Sequence, residues 1–261
     1  MWAFLLLSLS VSAEQAFNFY LLEMEWKPAS CLNPKQCPNP KYQSNDFNLH
    51  GLWPTFAYNE HDPNCCFGEA FDVGKIEGRT LGEMQKHWMS YKNSAPRGCQ
   101  EKLEVRKLRQ GGSLLHSPGA DDLGRYGNEY SEADTIEHSG KSHVGEYGST
   151  SFWKHEWEKH GTCSNLSIEG YFSTAVQLFQ TLNLQQRLLD GGIAVGTDSP
   201  VEKVLAALGE YAVILCVKGN GVANLKTVRF CYTKDLKLMK CPAAPLSWNC
   251  NGPVHLPAST S

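Results

Sequence analysis

Two histidines, a glutamate and a lysine lie close together in the segment SFWKHEWEKHGTCS at residues 151–164. On a helix, residues four apart lie on the same side, so His155 stacks with Lys159 and Glu156 stacks with His160. The two pairs would form one polar face with two imidazoles, a carboxylate and an ammonium. Such a face suits an anionic substrate whose reaction requires proton transfer.

The residues around this face indicate how the helix is fixed. Trp153 and Trp157 fall together beyond one edge of it, where we expect them to anchor the helix in a core. Gly161 and Cys163 follow directly and indicate a helix end and a covalent tether. These neighbours weaken the alternative, a solvated amphipathic helix, and leave it open at this point.

A zinc site is the other chemistry that His155 and Glu156 suggest, because they begin like the H-E-x-x-H signature of zinc proteases. That signature needs its second histidine at position 159, where the chain has lysine. On a helix, His155 and His160 lie about 140° apart, too far to bind one metal together. We therefore expect no metal and no other cofactor.

Composition limits the class of protein. The chain has 261 residues, of which 41% are hydrophobic and 20% charged, so it can form one sizeable core. A net charge of -3 and a pI near 6.3 argue against a general nucleic-acid binder. A polyanion must therefore be bound at a local site.

Residues 1–13 have the features of a cleavable secretory signal, with an apolar run from Trp2 to Leu9 followed by small residues. Ten cysteines then predict disulfide bonds, because the export route is oxidising. Asn165 begins an Asn-Leu-Ser glycosylation sequon. No later stretch has the roughly 20 apolar residues of a membrane helix, so we expect a soluble, monomeric protein without a membrane anchor.

Alternating residues predict two strands before the catalytic segment. In AFNFYLLEMEW at 16–26, every second residue from Tyr20 to Trp26 is large and apolar, which predicts one well-buried face. In DFNLH at 46–50 the same alternation places His50 on the open face at the end of a strand. Pro54 is expected to stop this strand.

The rest of the chain predicts a mixed domain over residues 14–261. Helices are expected at about 80–91, 169–182 and 201–212, and short strands after them. Residues 100–150 are rich in Gly, Ser, Asp and Glu without a sustained period, and we interpret them as a flexible surface insertion. The succession predicts a single α+β domain with a central antiparallel sheet flanked by helices, rich in disulfides.

Two separated blocks, HGLWP at 50–54 and FWKHEWEKHGTC at 152–163, closely resemble the two catalytic segments of the ribonuclease T2 family. The likeness covers most of residues 16–255 except 100–150. It implies a metal-independent endoribonuclease that cleaves single-stranded RNA, with low base specificity and without activity on DNA, which lacks the 2′-hydroxyl. Family members are secreted or are held in an endolysosomal or vacuolar lumen, and we expect the same here.

The resemblance also implies roles for the site residues. The ribose 2′-hydroxyl would attack its own phosphate to form a 2′,3′-cyclic phosphate, with His160 as general base and His50 as general acid. The sequence itself leaves the opposite assignment of the two histidines open. Glu156 would orient His160 or share the charge of the transition state. Lys159 and His155 would face the phosphate. A bell-shaped pH profile on the acid side of neutrality is expected for such a pair.

Trp53 and Phe152 are expected to offer flat faces on which a base can stack, with core packing as the alternative for Trp53. By the same resemblance, Cys65 should bond to Cys163 and so link the loop after His50 to the end of the catalytic helix. The other pairs expected are Cys31–Cys37, Cys216–Cys250, Cys231–Cys241 and, from the two cysteines that remain, Cys66–Cys99.

The chain departs from the family at Glu25 and Lys27, where glutamine and proline are usual, and at Thr55. These positions concern the base site and base preference. The competing hypothesis is a catalytically weak, secreted binding or toxin-like protein on the same fold. It is disfavoured because His50 and the polar residues of the second block are all present.

Overall fold

The computed structural model describes residues 17–33, 37, 42, 44–57, 62–91, 99, 144–219, 221–242 and 245–259. The predicted signal segment and most of the predicted insertion lie outside these residues. Within the described ranges, no helix combines the length and apolar character needed to cross a membrane.

An eight-stranded sheet forms the centre of the domain. In chain order its strands are β1 Phe19–Trp26, β2 Phe47–Thr55, β3 Asp198–Ser199, β4 Val213–Gly219, β5 Val222–Tyr232, β6 Leu238–Met239, β7 Ser247–Trp248 and β8 Val254–His255. The main order is β2-β1-β5-β4-β7, and β8 links β3 to β5. The four long strands pair antiparallel, whereas β7 and β8 pair parallel with β4 and β5.

Helices precede and connect these strands. In chain order they are α1 Lys27–Ser30, α2 Gly78–His87, α3 Val144–Lys159, α4 Ile168–Leu182, α5 Leu184–Asp190 and α6 Val201–Leu208, with 3₁₀ turns at Val73–Lys75 and Gly161–Cys163. The Ser167 side chain caps α4 by accepting a hydrogen bond from the Gly170 amide. The mixed α+β fold with a central sheet agrees with the sequence-based expectation.

The core lies between the sheet and the helices. On β1 the predicted face, Tyr20, Leu22, Met24 and Trp26, is at most 3% exposed. Trp153 and Trp157 of α3 belong to the same cluster, which confirms that they anchor this helix. Each large apolar side chain buried in this way contributes about 1.5–3 kcal/mol.

Strand β2 continues through Pro54 to Thr55, so the expectation that Pro54 ends it was wrong. The reason is the position of β2 at the edge of the main strand order, where only β1 pairs with it. Proline lacks an N–H donor, and an edge strand does not need that donor on its outer side.

Helix boundaries also differ from the sequence-based ranges. Helix α2 ends at His87, earlier than expected, with Trp88 fully buried at its C-cap. Helix α3 begins at Val144, inside the range that the sequence assigned to an insertion.

Five disulfides link the chain, and three match the expected pairs: Cys31–Cys37, Cys216–Cys250 and Cys231–Cys241. The other two were predicted wrongly, since the structure has Cys65–Cys99 and Cys66–Cys163.

Local backbone geometry explains this exchange. Cys65 has a left-handed backbone, with φ 53°, and its amide donates to the Lys159 carbonyl. This conformation places Cys65 within bonding range of Cys99 and leaves its neighbour Cys66 opposite Cys163. The Cys66–Cys163 bridge still ties the loop after β2 to the end of α3.

Candidate active site

A β-bulge positions His50. Glu23 of β1 pairs with Gly51 and the next residue of β1 pairs with Leu49, so His50 is the extra residue on β2. Leu49 and Leu52 are both completely buried although they are three residues apart, which the bulge makes possible. Bulges of this kind re-aim a side chain, and His50 remains 29% exposed.

Helix α3 brings the second group of residues to the same place. The helix ends at Lys159, and the His160 amide still donates to the Glu156 carbonyl at 3.0 Å. Glu156 and His160 therefore lie one helical turn apart, as the four-residue spacing predicted, but this bond concerns only their backbones. Both side chains are buried, at 1% and 8% exposure.

The Glu156 carboxylate lies between groups of β2. Its Oε2 accepts a 2.8 Å hydrogen bond from Trp53 Nε1, and its Oε1 lies 4.0 Å from His50 Nε2. It thus reaches towards His50 rather than the ring of His160. Burial raises the pKa of Glu156, with His50 and the Trp53 N–H opposing, to about 7.

Trp53 stands between the two histidines. Its ring stacks on His160 at a centroid distance of 5.1 Å and meets His50 edge-on at 5.2 Å. Trp53 is only partly buried, and it is not a member of the hydrophobic core clusters formed by the described residues. Phe152 contacts the other side of this group, with its ring 5.6 Å from that of His50.

The surroundings of His160 disfavour a proton on its ring. Burial lowers the pKa of His160 first, and the positive charges of Lys159, His155 and His50 lower it further, to well below the usual 6.5. Its buried Nδ1 has no hydrogen-bond partner among the residues that the structure describes. Lys159 and His155 are both partly exposed beside it. His160 is therefore held neutral at ordinary pH.

Glu23 and Glu25 were not identified as site residues from the sequence. Their Oε1 atoms lie 3.0 and 3.3 Å from His50 Nδ1, and the two side chains are only 6% and 7% exposed. Arg229 of β5 pairs with the second oxygen of Glu23. The second oxygen of Glu25 accepts from the hydroxyls of Ser30 and Tyr42, both at 3.2 Å.

These carboxylates reverse the effect of burial on His50. Burial alone would lower the pKa of His50, but Glu25, Glu23 and Glu156 together raise it well above 6.5. Burial likewise raises the pKa of each carboxyl, yet His50 outweighs it and holds the pKa of Glu23 below its usual range and that of Glu25 at about 2. The two histidines therefore have opposite electrostatic surroundings.

The period-two alternation of β1 contained a signal for this cluster. If Leu22 and Met24 face the core, Glu23 and Glu25 share the opposite face, which is the face predicted for His50. The unusual glutamate at position 25 was the second signal.

The three ligand atoms of Glu23, Glu25 and His50 lie within 4.8 Å of one another, a spacing that a metal site would also require. Arg229 already neutralises Glu23, and Glu25 is hydrogen-bonded to two hydroxyls. We therefore interpret the group as an ion-paired cluster.

The predicted glycosylation residue Asn165 is exposed directly after the Gly161–Cys163 turn and has a left-handed backbone, with φ 61°. The serine of its sequon, Ser167, caps α4. Modification of Asn165 stays a prediction.

Comparisons with known proteins give one consistent result. The model of the Ribonuclease T2 family matches residues 17–105 and 133–241. Ribonuclease 1 of Arabidopsis thaliana is 26% identical over 258 residues, covering 95% of this chain and 89% of that protein. Ribonuclease T2 of Sus scrofa is 25% identical, covering 89% of this chain and 98% of that protein.

Solved structures show the same fold. RNase NT, in complex with 5′-AMP, superimposes with a TM-score of 0.65 at 23% identity, covering 93% of this chain and 99% of that one. Ribonuclease MC1 from bitter gourd seeds gives 0.61 at 20% identity, with 92% and 100% covered. The relatives include both an intracellular and an extracellular ribonuclease of Solanum lycopersicum.

Proposed function

This chain belongs to the Ribonuclease T2 family and is an endoribonuclease, and we propose that it cleaves single-stranded RNA through His50, Glu156 and His160 without a metal. The observation that carries the proposal is the pair of imidazoles on either side of Trp53. His160 is kept neutral and His50 is kept protonated. An RNA cyclisation needs this combination of base and acid.

The reaction follows from these protonation states. His160 takes the proton of the ribose 2′-hydroxyl as the 2′-oxygen attacks phosphorus. The bond from phosphorus to the 5′-oxygen breaks, and His50 gives that oxygen its proton. The products are a 2′,3′-cyclic phosphate and a free 5′-hydroxyl. DNA lacks the attacking hydroxyl, so we expect no cleavage of it.

Charge on the phosphate requires further groups. Lys159 and His155, beside His160 at the end of α3, would bind the phosphate oxygens and stabilise their negative charge in the transition state. Glu156, with a pKa of about 7, would accept hydrogen bonds when it is ionised. When it is protonated, its O–H would donate a hydrogen bond to a phosphate oxygen. Both forms are accessible near neutral pH.

Base contacts would come from Trp53 and Phe152. A nucleobase stacked on an aromatic ring gains about 1–3 kcal/mol with little dependence on base identity, which supports low base specificity. The complex of RNase NT with 5′-AMP supports a nucleotide site in this fold. We further propose that the protein acts as a monomer in a secreted, endolysosomal or vacuolar setting.

The test is cleavage of single-stranded RNA by the purified protein with and without a chelator, with analysis of the product ends. Chelator-resistant cleavage that yields cyclic phosphate ends is expected for the wild type. His160→Ala should lose about a hundredfold to ten-thousandfold in rate. The control is His255→Ala, since His255 pairs with Asp198 at the β3–β8 contact. Cleavage that the chelator abolishes would contradict the proposal.

A further inference from the structure

We infer that Glu23 and Glu25 are positioning residues that act on catalysis through His50, holding it as a proton donor and so favouring formation of the cyclic phosphate over its hydrolysis. This inference rests on the proposed function. It concerns two carboxylates that lie behind the imidazole and have no contact with substrate in the proposed reaction.

Each carboxylate is fixed at both oxygens. Residue pairing across the sheet sets Glu23 opposite Arg229, and the guanidinium Nε lies 2.5 Å from Glu23 Oε2. Ser30 and Tyr42 hold Glu25 Oε2 in the same way. The Oε1 atoms are left for His50, and neither carboxylate can turn away without losing its other bond.

This arrangement determines which nitrogen of His50 serves the substrate. Nδ1 lies 3.0 Å from Glu23 and 3.3 Å from Glu25, which are ion-pair distances, although the angles at Nδ1 do not make either contact a regular hydrogen bond. Nε2 points the other way, towards Glu156 at 4.0 Å, on the side where Trp53 and His160 lie. The proton that His50 donates to the leaving oxygen is therefore the one on Nε2.

The charges around His50 come from β1, β5 and α3, and from His160 directly after α3. Glu23 and Glu25 of β1 and Glu156 of α3 favour its protonated form. Two cations of β5 partly neutralise these carboxylates: the charge of Arg229 lowers the pKa of Glu23, and the charge of Lys226 lowers that of Glu25. At the end of α3, the charge of Lys159 acts on Glu156, and the charges of Lys159 and His155 act on His160. Of the two buried β1 carboxylates, Glu23 has a guanidinium partner, and His50 forms ion pairs with both of them.

The two half-reactions need opposite forms of the histidines. Cyclisation uses protonated His50 and neutral His160, which are the forms that the structure favours. In hydrolysis of the cyclic phosphate, the two histidines exchange roles and water takes the place of the 5′-hydroxyl. Neutral His50 would take a proton from the water as the water oxygen bonds to phosphorus. Protonated His160 would give a proton to the departing 2′-oxygen. The form needed for hydrolysis is a minor one at every pH, so the cyclic phosphate should accumulate.

The experiment compares Glu25→Gln and Glu23→Gln with the wild type in two separate assays, cleavage of a short RNA and hydrolysis of a 2′,3′-cyclic nucleotide, each across pH. Removing one negative charge should lower the pKa of His50. We expect the alkaline limb of the pH–rate profile for RNA cleavage to move to lower pH by about one unit. We also expect the ratio of the hydrolysis rate to the cleavage rate near neutral pH to rise about tenfold.

Arg229→Gln should have the opposite effect on the pKa of His50, because it removes a positive charge from the same cluster. The alkaline limb of the pH–rate profile should therefore move to higher pH, and the ratio of hydrolysis to cleavage should fall. A merely structural role would move both kinds of variant in one direction. If the variants lose the same factor in the rates of cleavage and hydrolysis, and the limbs of their pH–rate profiles do not move, the inference is overturned.

Titration of the His50 ring by NMR separates this inference from the proposed function. If the wild type cleaves no RNA, the function fails, yet the His50 pKa in wild type and Glu25→Gln can still be compared. A His50 pKa near 6.5 in the folded wild type would overturn the inference even if RNA is cleaved. If Glu23→Gln or Glu25→Gln does not fold, the titration of His50 in the wild type and in Arg229→Gln tests the inference instead.

Discussion

Trp53 and Glu156, 103 residues apart in sequence, are joined by a 2.8 Å hydrogen bond from the indole Nε1 to the carboxylate Oε2. This bond connects β2 to α3, and therefore connects the two segments that supply the histidines. It passes directly over Gly51. A Cβ atom at position 51 would lie 2.1 Å from Trp53 Nε1 and 2.3 Å from Glu156 Oε2.

Gly51→Ala should therefore separate Trp53 from Glu156. A methyl group cannot occupy the space of either atom, so one side chain must move by about 1 Å, a displacement that costs about a hundredfold in catalysis. We expect kcat/KM for RNA cleavage to fall by that factor while the protein still folds, with a destabilisation of about 1–3 kcal/mol. Urea unfolding and steady-state kinetics measure the two effects.

Gly82→Ala is the matched control, because a Cβ atom there meets nothing within 4 Å and Gly82 lies inside α2. Alanine is the better helix former by about 1 kcal/mol, so this variant should be as stable as the wild type or slightly more so. If Gly51→Ala cleaves RNA as fast as Gly82→Ala, the close approach at position 51 has no catalytic importance.

The pH dependence of cleavage should be a broad plateau. Activity needs neutral His160, whose pKa is well below 6.5, and protonated His50, whose pKa is well above it. The rate should rise through the first pKa and fall through the second, which revises the expectation of a bell on the acid side of neutrality. Measurement of kcat/KM on a short oligonucleotide across pH tests this, and two limbs close together between pH 5 and 7 would contradict it.

Local patterns in the sequence were enough to predict the core and the main site residues. The alternation of β1 identified its buried face, and the four-residue spacing placed Glu156 beside His160 in the backbone. Side-chain direction was harder, since the Glu156 carboxylate turns to His50, a contact made by residues 106 positions apart that no local spacing contains.

Other features depended on details that a pattern cannot encode. A bulge at His50 breaks the period of two on which the alternation argument relied. The neighbours Cys65 and Cys66 have nearly equal sequence distances to every partner, so sequence spacing could not distinguish their pairings, and the left-handed backbone of Cys65 is a local detail that no pattern predicted. The ion pair of Glu23 depends on Arg229 of β5, far along the chain.

Residues 106–132 lie between the two segments matched by the family model. We expect their replacement by a short Gly-Ser linker to leave cleavage of a short RNA largely unchanged, because the residues proposed for catalysis all lie elsewhere. Shortening a connection by this many residues should also change the free energy of unfolding by less than about 1 kcal/mol. A variant with the same residues in scrambled order keeps the length and serves as control. Severe loss of activity in a folded deletion variant would show that this segment takes part.

The Cys66–Cys163 bridge should matter more than Cys31–Cys37. It closes a sequence separation of 97 residues rather than 6, so the chain-entropy model assigns it about 4–5 kcal/mol against about 2 kcal/mol. It also holds the end of α3, where His160 follows Lys159, against the loop after β2. Replacement of both cysteines of a pair by serine, followed by urea unfolding, measures the loss of stability.

Activity separates the two bridges further. Without Cys66–Cys163 the position of His160 relative to His50 is less constrained, and we expect kcat/KM at 25 °C to fall by about tenfold in protein that is still folded. The double variant that lacks Cys31–Cys37 keeps the contact between β2 and α3 intact. It should cleave RNA at nearly the wild-type rate. Equal losses of stability and activity in the two double variants would mean that the bridge at Cys163 has no special part in holding the catalytic histidines together.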